Sequence, residues 1–233
     1  MKKSILPLTM SPIIGLVIGL VIGLVIGLAV VTPSLAAGQN GNQNQRIPTP
    51  TLSTQDSAEL TYMREEEKLA RDTYLSLADY WYARSGNLPV VTVMQNIAQA
   101  EQKHMDQVEA KLEQYGLPDP VLDKNQLGGF TNPELAALYT DLLTRGQKSP
   151  LDALLVGGLI EEVDIQDLQH AIQQTQLADL DRLYESLMCG SRNHLRAFAS
   201  QVAATQGSYV AQVLPQAEVN AIIQSPHERC GRR

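Results

Sequence analysis

Four long stretches of this chain place apolar residues at alternating steps of three and four, the spacing of one face of an α-helix. The stretches run over about 57–84, 91–115, 150–174 and 177–203. Near its middle, each one carries an ionisable side chain on the same apolar face. This pattern predicts four helices packed as a bundle with charged groups inside it. Aromatic residues make up only 5% of the chain, and alternating β-branched runs are missing, so strands have little support.

The connection between the second and third stretches is too long for a bare loop in a compact domain. Asn132-Pro133-Glu134 is typical of a helix start and predicts a short helix from Leu135 to Leu143. A long crossover between the middle helices is a known bundle topology. We therefore predict an all-α fold with a four-helix bundle over residues 57–202. A C-terminal tail, residues 203–233, is expected to pack on the bundle because it keeps several apolar residues.

Acids and imidazoles on the inner helix faces point to chemistry, because a buried carboxylate needs a cation or strong hydrogen-bond donors. Six residues occupy such positions: Glu67, Glu101, His104, Glu161, Asp164 and His194. Glu101 and His104 form Glu-x-x-His, whose i, i+3 spacing places both side chains on one helical face. Carboxylates and imidazoles from four helices at one level predict a site for two metal ions. These hard ligands suit iron, with manganese as the alternative, and the set holds no thiolate.

Two of these assignments depend on the rotational phase of a helix. Glu66 precedes Glu67, and Glu162 follows Glu161, so a rotation of about 100° would exchange the members of each pair. The apolar stripe favours Glu67 and Glu161 as inner residues. Glu162 is then expected to be a surface acid or a partner of the ligands. Which of Asp164 and Glu162 binds a metal ion stays open.

The chain resembles the ferritin-like superfamily, which includes bacterioferritin and rubrerythrin. It is most similar to a bacterial ferritin-like family catalogued as domain of unknown function 2202. Four stretches within residues 57–202 carry the resemblance: YMREEEKLARDTY, NIAQAEQKHMDQVEAKLEQYG, GGLIEEVDIQDL and GSRNHLRAF. The resemblance implies a ferritin-like bundle with a di-metal site. It also implies that Glu67 and Glu161 bridge the metals. The first helix of such proteins carries a ligand Glu followed seven residues later by a Tyr, and Glu67 and Tyr74 have that spacing. The remaining coordination positions would go to Glu101, His104, Asp164 and His194.

The fourth stretch departs from the superfamily pattern. Members normally repeat Glu-x-x-His there, whereas this chain has Ser191-Arg192-Asn193-His194. A serine is a poor ligand for a divalent ion, so one metal position is expected to lack a donor unless Asp164 supplies it.

The leading functional interpretation is a di-iron protein that reacts with dioxygen or peroxide, as an oxidase, peroxidase or ferroxidase. Ser191 supports a second interpretation, in which the protein sequesters metal without redox cycling. A third is a structural bundle with a degenerate site, against which the retention of His104 and His194 argues. The net charge is -7 and no block of Lys or Arg stands out, so we expect no nucleic-acid partner. The sequence does not determine the oligomeric state, and a homodimer is one of the states that it allows.

The first 36 residues form a separate segment. Lys2 and Lys3 precede an uncharged apolar run, Ile13 to Val31, and small residues around Ala36 follow it. This order is typical of an export signal cut after Ala36 or the next residue, which would place the protein in the periplasm or outside the cell. The alternative is an uncleaved inner-membrane anchor formed by residues 13–31, in which case the membrane is a partner.

Residues 37–56 are rich in Gly, Asn, Gln and Pro and predict a flexible linker. The exported part contains both cysteines, Cys189 and Cys230. In an oxidising compartment they could pair, but two free thiols fit the sequence equally well.

Overall fold

The computed structural model describes residues 51–231, in which every regular element is a helix. The helices are α1 (Thr54–Ser85), α2 (Pro89–Tyr115), α3 (Pro133–Gly146), α4 (Pro150–Gln174), α5 (Ala178–Gln206) and α6 (Gln216–Gln224). The predicted all-α fold is therefore confirmed. Within the described range, no helix has both the length and the apolar character that crossing a membrane requires. The predicted export signal or anchor at 1–36, and most of the predicted linker at 37–56, lie outside the described residues.

The bundle consists of α1, α2, α4 and α5, with α1 packed along α2 and α4 packed along α5. Residues at the helix ends fix where these elements begin and stop. Ser53 and Asp56 form a capping box, so α1 begins slightly before the predicted start. Gly116 and Gly207 end α2 and α5 in the left-handed conformation, which glycine adopts without a steric penalty.

Two apolar clusters fill the bundle, one toward each end. Along α1, Leu60 and Met63 belong to one cluster, and Tyr74, Leu77 and Trp81 to the other. The other three bundle helices divide in the same way. The ionisable residues of the inner faces lie between the clusters, so the bundle has a polar layer at mid-height with apolar packing above and below it.

The outer face of α1 is also covered, by the segment 117–132 that leads from α2 to α3. Five charged side chains of α1 bind that segment or its ends, and all are buried: Arg64, Glu65, Lys68, Arg71 and Asp72. Arg64, for example, donates to Asp119 at 2.9 Å, and the Gly128 N–H donates to Asp72 at 3.0 Å. Helix α1 is therefore central in the molecule, although its sequence is among the most charged in the chain.

The tail after α5 packs on the bundle through Tyr209, Leu214, Val219 and Ile222, which are members of the apolar core. A disulfide between Cys189 in α5 and Cys230 closes the tail, so the cysteines pair and neither is free. The bond holds the tail's end beside the part of α5 that carries Ser191 and His194.

Candidate metal centre

Helix α2 places Glu101 and His104 in the polar layer, one turn apart on its inner face. Nδ1 of His104 lies 2.8 Å from Oε2 of Glu101 and 3.2 Å from Oε2 of Glu67 on α1. These three side chains could hold one metal ion, because one ligand atom from each lies within 4.8 Å of the others.

Helices α4 and α5 supply the other half of the layer. Nδ1 of His194 lies 2.7 Å from Oε1 of Glu101 and 3.4 Å from Oε2 of Glu161. A second group of three consists of Glu101, Glu161 and His194, since one ligand atom from each again lies within 4.8 Å of the others. Glu101 thus belongs to both groups, and each of its oxygens faces a different imidazole. The family resemblance implies that Glu67 and Glu161 bridge the metals, and that role stays a prediction. In the structure Glu101 holds the central position, because its Oε2 faces His104 on the same helix and its Oε1 faces His194 on α5.

Burial and mutual charge control protonation in the cluster. The pKa values of Glu67 and Glu161 are raised to about 7 chiefly by burial, while the nearby imidazoles oppose the rise. Burial also opposes protonation of His194, but the charges of Glu101 and Glu161 outweigh it and raise its pKa to about 10. The pKa of Glu101 is lowered, because His194 and His104 together overcome its burial. Without a metal, protons shared between imidazoles and carboxylates therefore balance the charge.

The donor set fits divalent metal ions. Among the described residues, Oε1 of Glu67 and Nδ1 of His194 are buried and have no partner in hydrogen-bond geometry. Nδ1 of His194 lies close to Oε1 of Glu101 but not in hydrogen-bond geometry with it. The three carboxylates and two imidazoles of the cluster are the oxygen and nitrogen ligands that iron and manganese accept. Both sulfurs are held in the disulfide.

Asp164 is buried beside the cluster but belongs to neither group of three. Its Oδ2 is hydrogen-bonded to the hydroxyl of Ser191, and no described group donates to its Oδ1. The Ser191 hydroxyl also lies 3.0 Å from the carbonyl of Leu187, and its single proton can serve only one acceptor. The structure therefore places the side chains of Asp164 and Ser191 together. Whether Asp164 is a ligand stays a prediction.

The neighbouring acids take other roles. Glu66 is buried and interacts electrostatically with Asp167, and it belongs to neither group of three. Glu162 is fully buried, so the expectation of a surface acid is wrong. It accepts hydrogen bonds from the hydroxyl of Tyr209 at 2.7 Å and from three consecutive backbone N–H groups, Gln212 to Leu214. A carboxylate that accepts so many bonds anchors the tail, a role that no local sequence pattern reveals.

Two further residues shape the site. The hydroxyl of Tyr74 donates to Oε1 of Glu161 at 2.6 Å and orients that carboxylate toward His194. A Cβ added at Gly190 would approach the His104 ring to 2.5 Å, so only glycine leaves room for that imidazole. Tyr74 lies on the apolar stripe with Glu67 and can be found from the sequence. The role of Gly190 depends on the packing of α5 against α2 and cannot.

Fold and site together define an all-α helical bundle protein with a buried carboxylate–histidine cluster compatible with metal binding. Residues 56–226 match the family described as "Uncharacterized protein domain (DUF2202)", and the chain belongs to that family. It is 42% identical to "Uncharacterized protein MJ0754" of Methanocaldococcus jannaschii over 183 residues, which are 78% of this chain and 94% of the relative. The crystal structure titled as a hypothetical protein, MJ0754, from the same organism aligns with a TM-score of 0.71 over 78% of this chain and 99% of that one. The wider resemblance to ferritin-like proteins stays a prediction.

Proposed function

We propose that this protein holds two iron ions in its polar layer and reacts with dioxygen or peroxide, as an oxidase, peroxidase or ferroxidase. The observation that supports this is the position of Glu101, whose two oxygens face one imidazole each and connect two groups of three ligands. Manganese is the alternative metal, since it accepts the same ligands. When bound, such a metal pair supplies electron transfer to the oxidant.

The protein's own residues would create the conditions for that chemistry. Glu67 with His104, and Glu161 with His194, would each hold one ion, while Glu101 would hold both. Tyr74 keeps Glu161 in place through its hydrogen bond. The two apolar clusters exclude water from both ends of the layer. In the metal-free protein Glu67 and Glu161 have pKa values of about 7, so binding of the ions would displace the protons that these carboxyl groups carry near neutral pH.

Metal analysis of the purified protein, combined with Fe²⁺ oxidation assays, tests the proposal. We expect close to two irons per chain after anaerobic loading, and Fe²⁺ oxidation by dioxygen or hydrogen peroxide faster than in buffer alone. Glu101→Gln should abolish both, whereas Glu113→Gln, at an exposed acid of the same helix, should change neither. Iron content below one per chain in the unmodified protein would contradict the proposal.

A non-catalytic metal-binding protein is the second candidate, and Ser191 specifically favours it. Its hydroxyl replaces a carboxylate and is occupied by Asp164, so each group offers three protein ligands with Glu101 shared. About one metal per chain that is insensitive to air and peroxide would favour sequestration over redox chemistry.

We further propose that the protein is exported. The disulfide between Cys189 and Cys230 supports an oxidising compartment, where such bonds form and persist. Mass spectrometry of the mature N-terminus distinguishes a chain cut near Ala36 from one that keeps its apolar segment.

A further inference from the structure

A line of acidic residues leads away from the metal centre toward the surface. On α4, Glu161, Asp164 and Asp167 follow at i, i+3 steps, each about 4.5 Å further along the helix axis. Glu161 belongs to the centre, Asp164 is buried beside it, and Asp167 is partly exposed. On α1, Glu66 faces this line, since its carboxyl group interacts electrostatically with those of Asp167 and Asp164. These acids therefore form a continuous path from solvent to the ligands.

The buried part of the path has unused ligand atoms. Glu66 is 4% exposed and Asp164 is 5% exposed. No described N–H or O–H group donates to Oε2 of Glu66 or to Oδ1 of Asp164. Oε1 of the candidate ligand Glu67 likewise lacks a hydrogen-bond donor. A buried carboxylate oxygen without a donor is costly unless a proton or a cation accompanies it. Other buried carboxylates of this chain, such as Glu65 and Glu162, have backbone donors.

The outer end of the path is also acidic. Glu59 of α1 is half-buried and interacts with Asp167, and the exposed His170 lies near both. The whole chain carries a net charge of -7, which favours the approach of cations over anions. Hydrated divalent ions are commonly held by one or two carboxylates while they keep several waters. Pairs of acids at successive depths would suit an ion that loses its water in stages.

We propose that Asp167, Glu66 and Asp164 form an entry route that passes divalent metal ions from the surface to the centre. This inference rests on the proposed metal-binding function. Asp167 would capture the hydrated ion, and Glu66 would transfer it inward because its long side chain can turn from Asp167 toward Asp164. Asp164 would deliver the ion to Glu67 and Glu161. All three residues would stay outside the final coordination groups, and their passing role accounts for the buried oxygens of Glu66 and Asp164 that lack a donor.

The rate of metal uptake tests the route. Metal-free protein is mixed with Co²⁺ in a stopped-flow instrument, and the visible absorption that develops on ligand binding is recorded. Glu66→Gln and Asp167→Asn should each slow uptake about tenfold, in the range expected for loss of electrostatic guidance, while the final number of ions per chain stays unchanged. The matched control is Asp141→Asn, which removes one exposed acid from α3 and should load at the unmodified rate.

Each other outcome has a definite meaning. If the unmodified protein binds no Co²⁺, both the metal centre and its entry route are wrong. If it binds Co²⁺ and both variants load at its rate, the centre stands and the route is overturned, which would leave proton transfer as the role of these acids. If a variant binds fewer ions at equilibrium, the altered residue is a ligand and the route is again wrong. Should Glu66→Gln lose its helical circular dichroism, Asp167→Asn at the partly exposed position decides the question alone.

Discussion

Single residues in this protein differ in role from neighbours of the same chemical type. Glu65, Glu66 and Glu67 are consecutive and all buried, yet each has different partners. Glu65 binds the backbone at Asn132, Glu66 contacts Asp167, and Glu67 lies against His104. The helical rotation of about 100° per residue separates them onto three faces, and each face meets a different part of the fold.

The shared position of Glu101 leads to a prediction about metal stoichiometry. Glu101→Gln should remove both ions, because its oxygens face both imidazoles. Glu67→Gln and Glu161→Gln should each remove only one, because each belongs to one group of three. Metal analysis after equilibrium dialysis against Mn²⁺ measures the difference. Loss of both ions on substitution of Glu67 alone would show that the centre is organised differently.

At the level of elements, α1 and the tail show that charged residues can position whole segments. The charged face of α1 binds the segment 117–132, and Glu162 of α4 binds the tail. In both places the buried charged groups form hydrogen bonds with backbone groups or pair with an opposite charge, because a buried charge without such a partner is costly. The helical periodicity predicts the residues that form α1 and its apolar inner face. It cannot predict that the charged face is also covered, because charged residues usually lie in contact with solvent.

We expect Glu162→Gln to destabilise the protein by roughly 2–4 kcal/mol, because a neutral amide has one acceptor oxygen for several donors and adds an unpaired N–H₂. The donors at issue are the Tyr209 hydroxyl and the backbone N–H groups of Gln212 to Leu214. Urea unfolding followed by circular dichroism gives the free energy of unfolding. Asp141→Asn serves as the surface control and should change it by less than about 0.5 kcal/mol. An equally small change for Glu162→Gln would contradict the anchoring role.

At the scale of the whole molecule, the polar layer links stability to pH and to metal. The pKa values of Glu67 and Glu161 are raised from 4.5 to about 7, and that of His194 is raised from 6.5 to about 10. A group whose pKa is raised on folding stabilises the protein below its unfolded pKa, and this contribution is lost as the pH rises through the folded pKa. Metal ions replace these protons and need deprotonated ligands.

We therefore expect the melting temperature of the metal-free protein to fall as the pH rises from about 5 to about 10. The carboxyl groups account for the loss up to about pH 7, and His194 accounts for the loss above it. The stabilisation by added Mn²⁺ should increase over the same range. Differential scanning calorimetry at pH 5, 7 and 9, with chelator or with Mn²⁺, tests both trends. A melting temperature of the metal-free protein that rises with pH would contradict the arrangement of charges.

The sequence by itself determined the helical fold, because helical spacing fixes which side chains share a face. By phase alone it favoured Glu67 over Glu66 and Glu161 over Glu162 as inner residues. In the structure Glu67 and Glu161 lie beside the imidazoles, and their role as metal ligands stays a prediction. Only the tertiary structure decided that Glu101 is the shared carboxylate, that Ser191 binds Asp164, and that Cys189 pairs with Cys230. These facts depend on distances between helices, which arise from packing across the bundle and leave no periodic signal within any one helix.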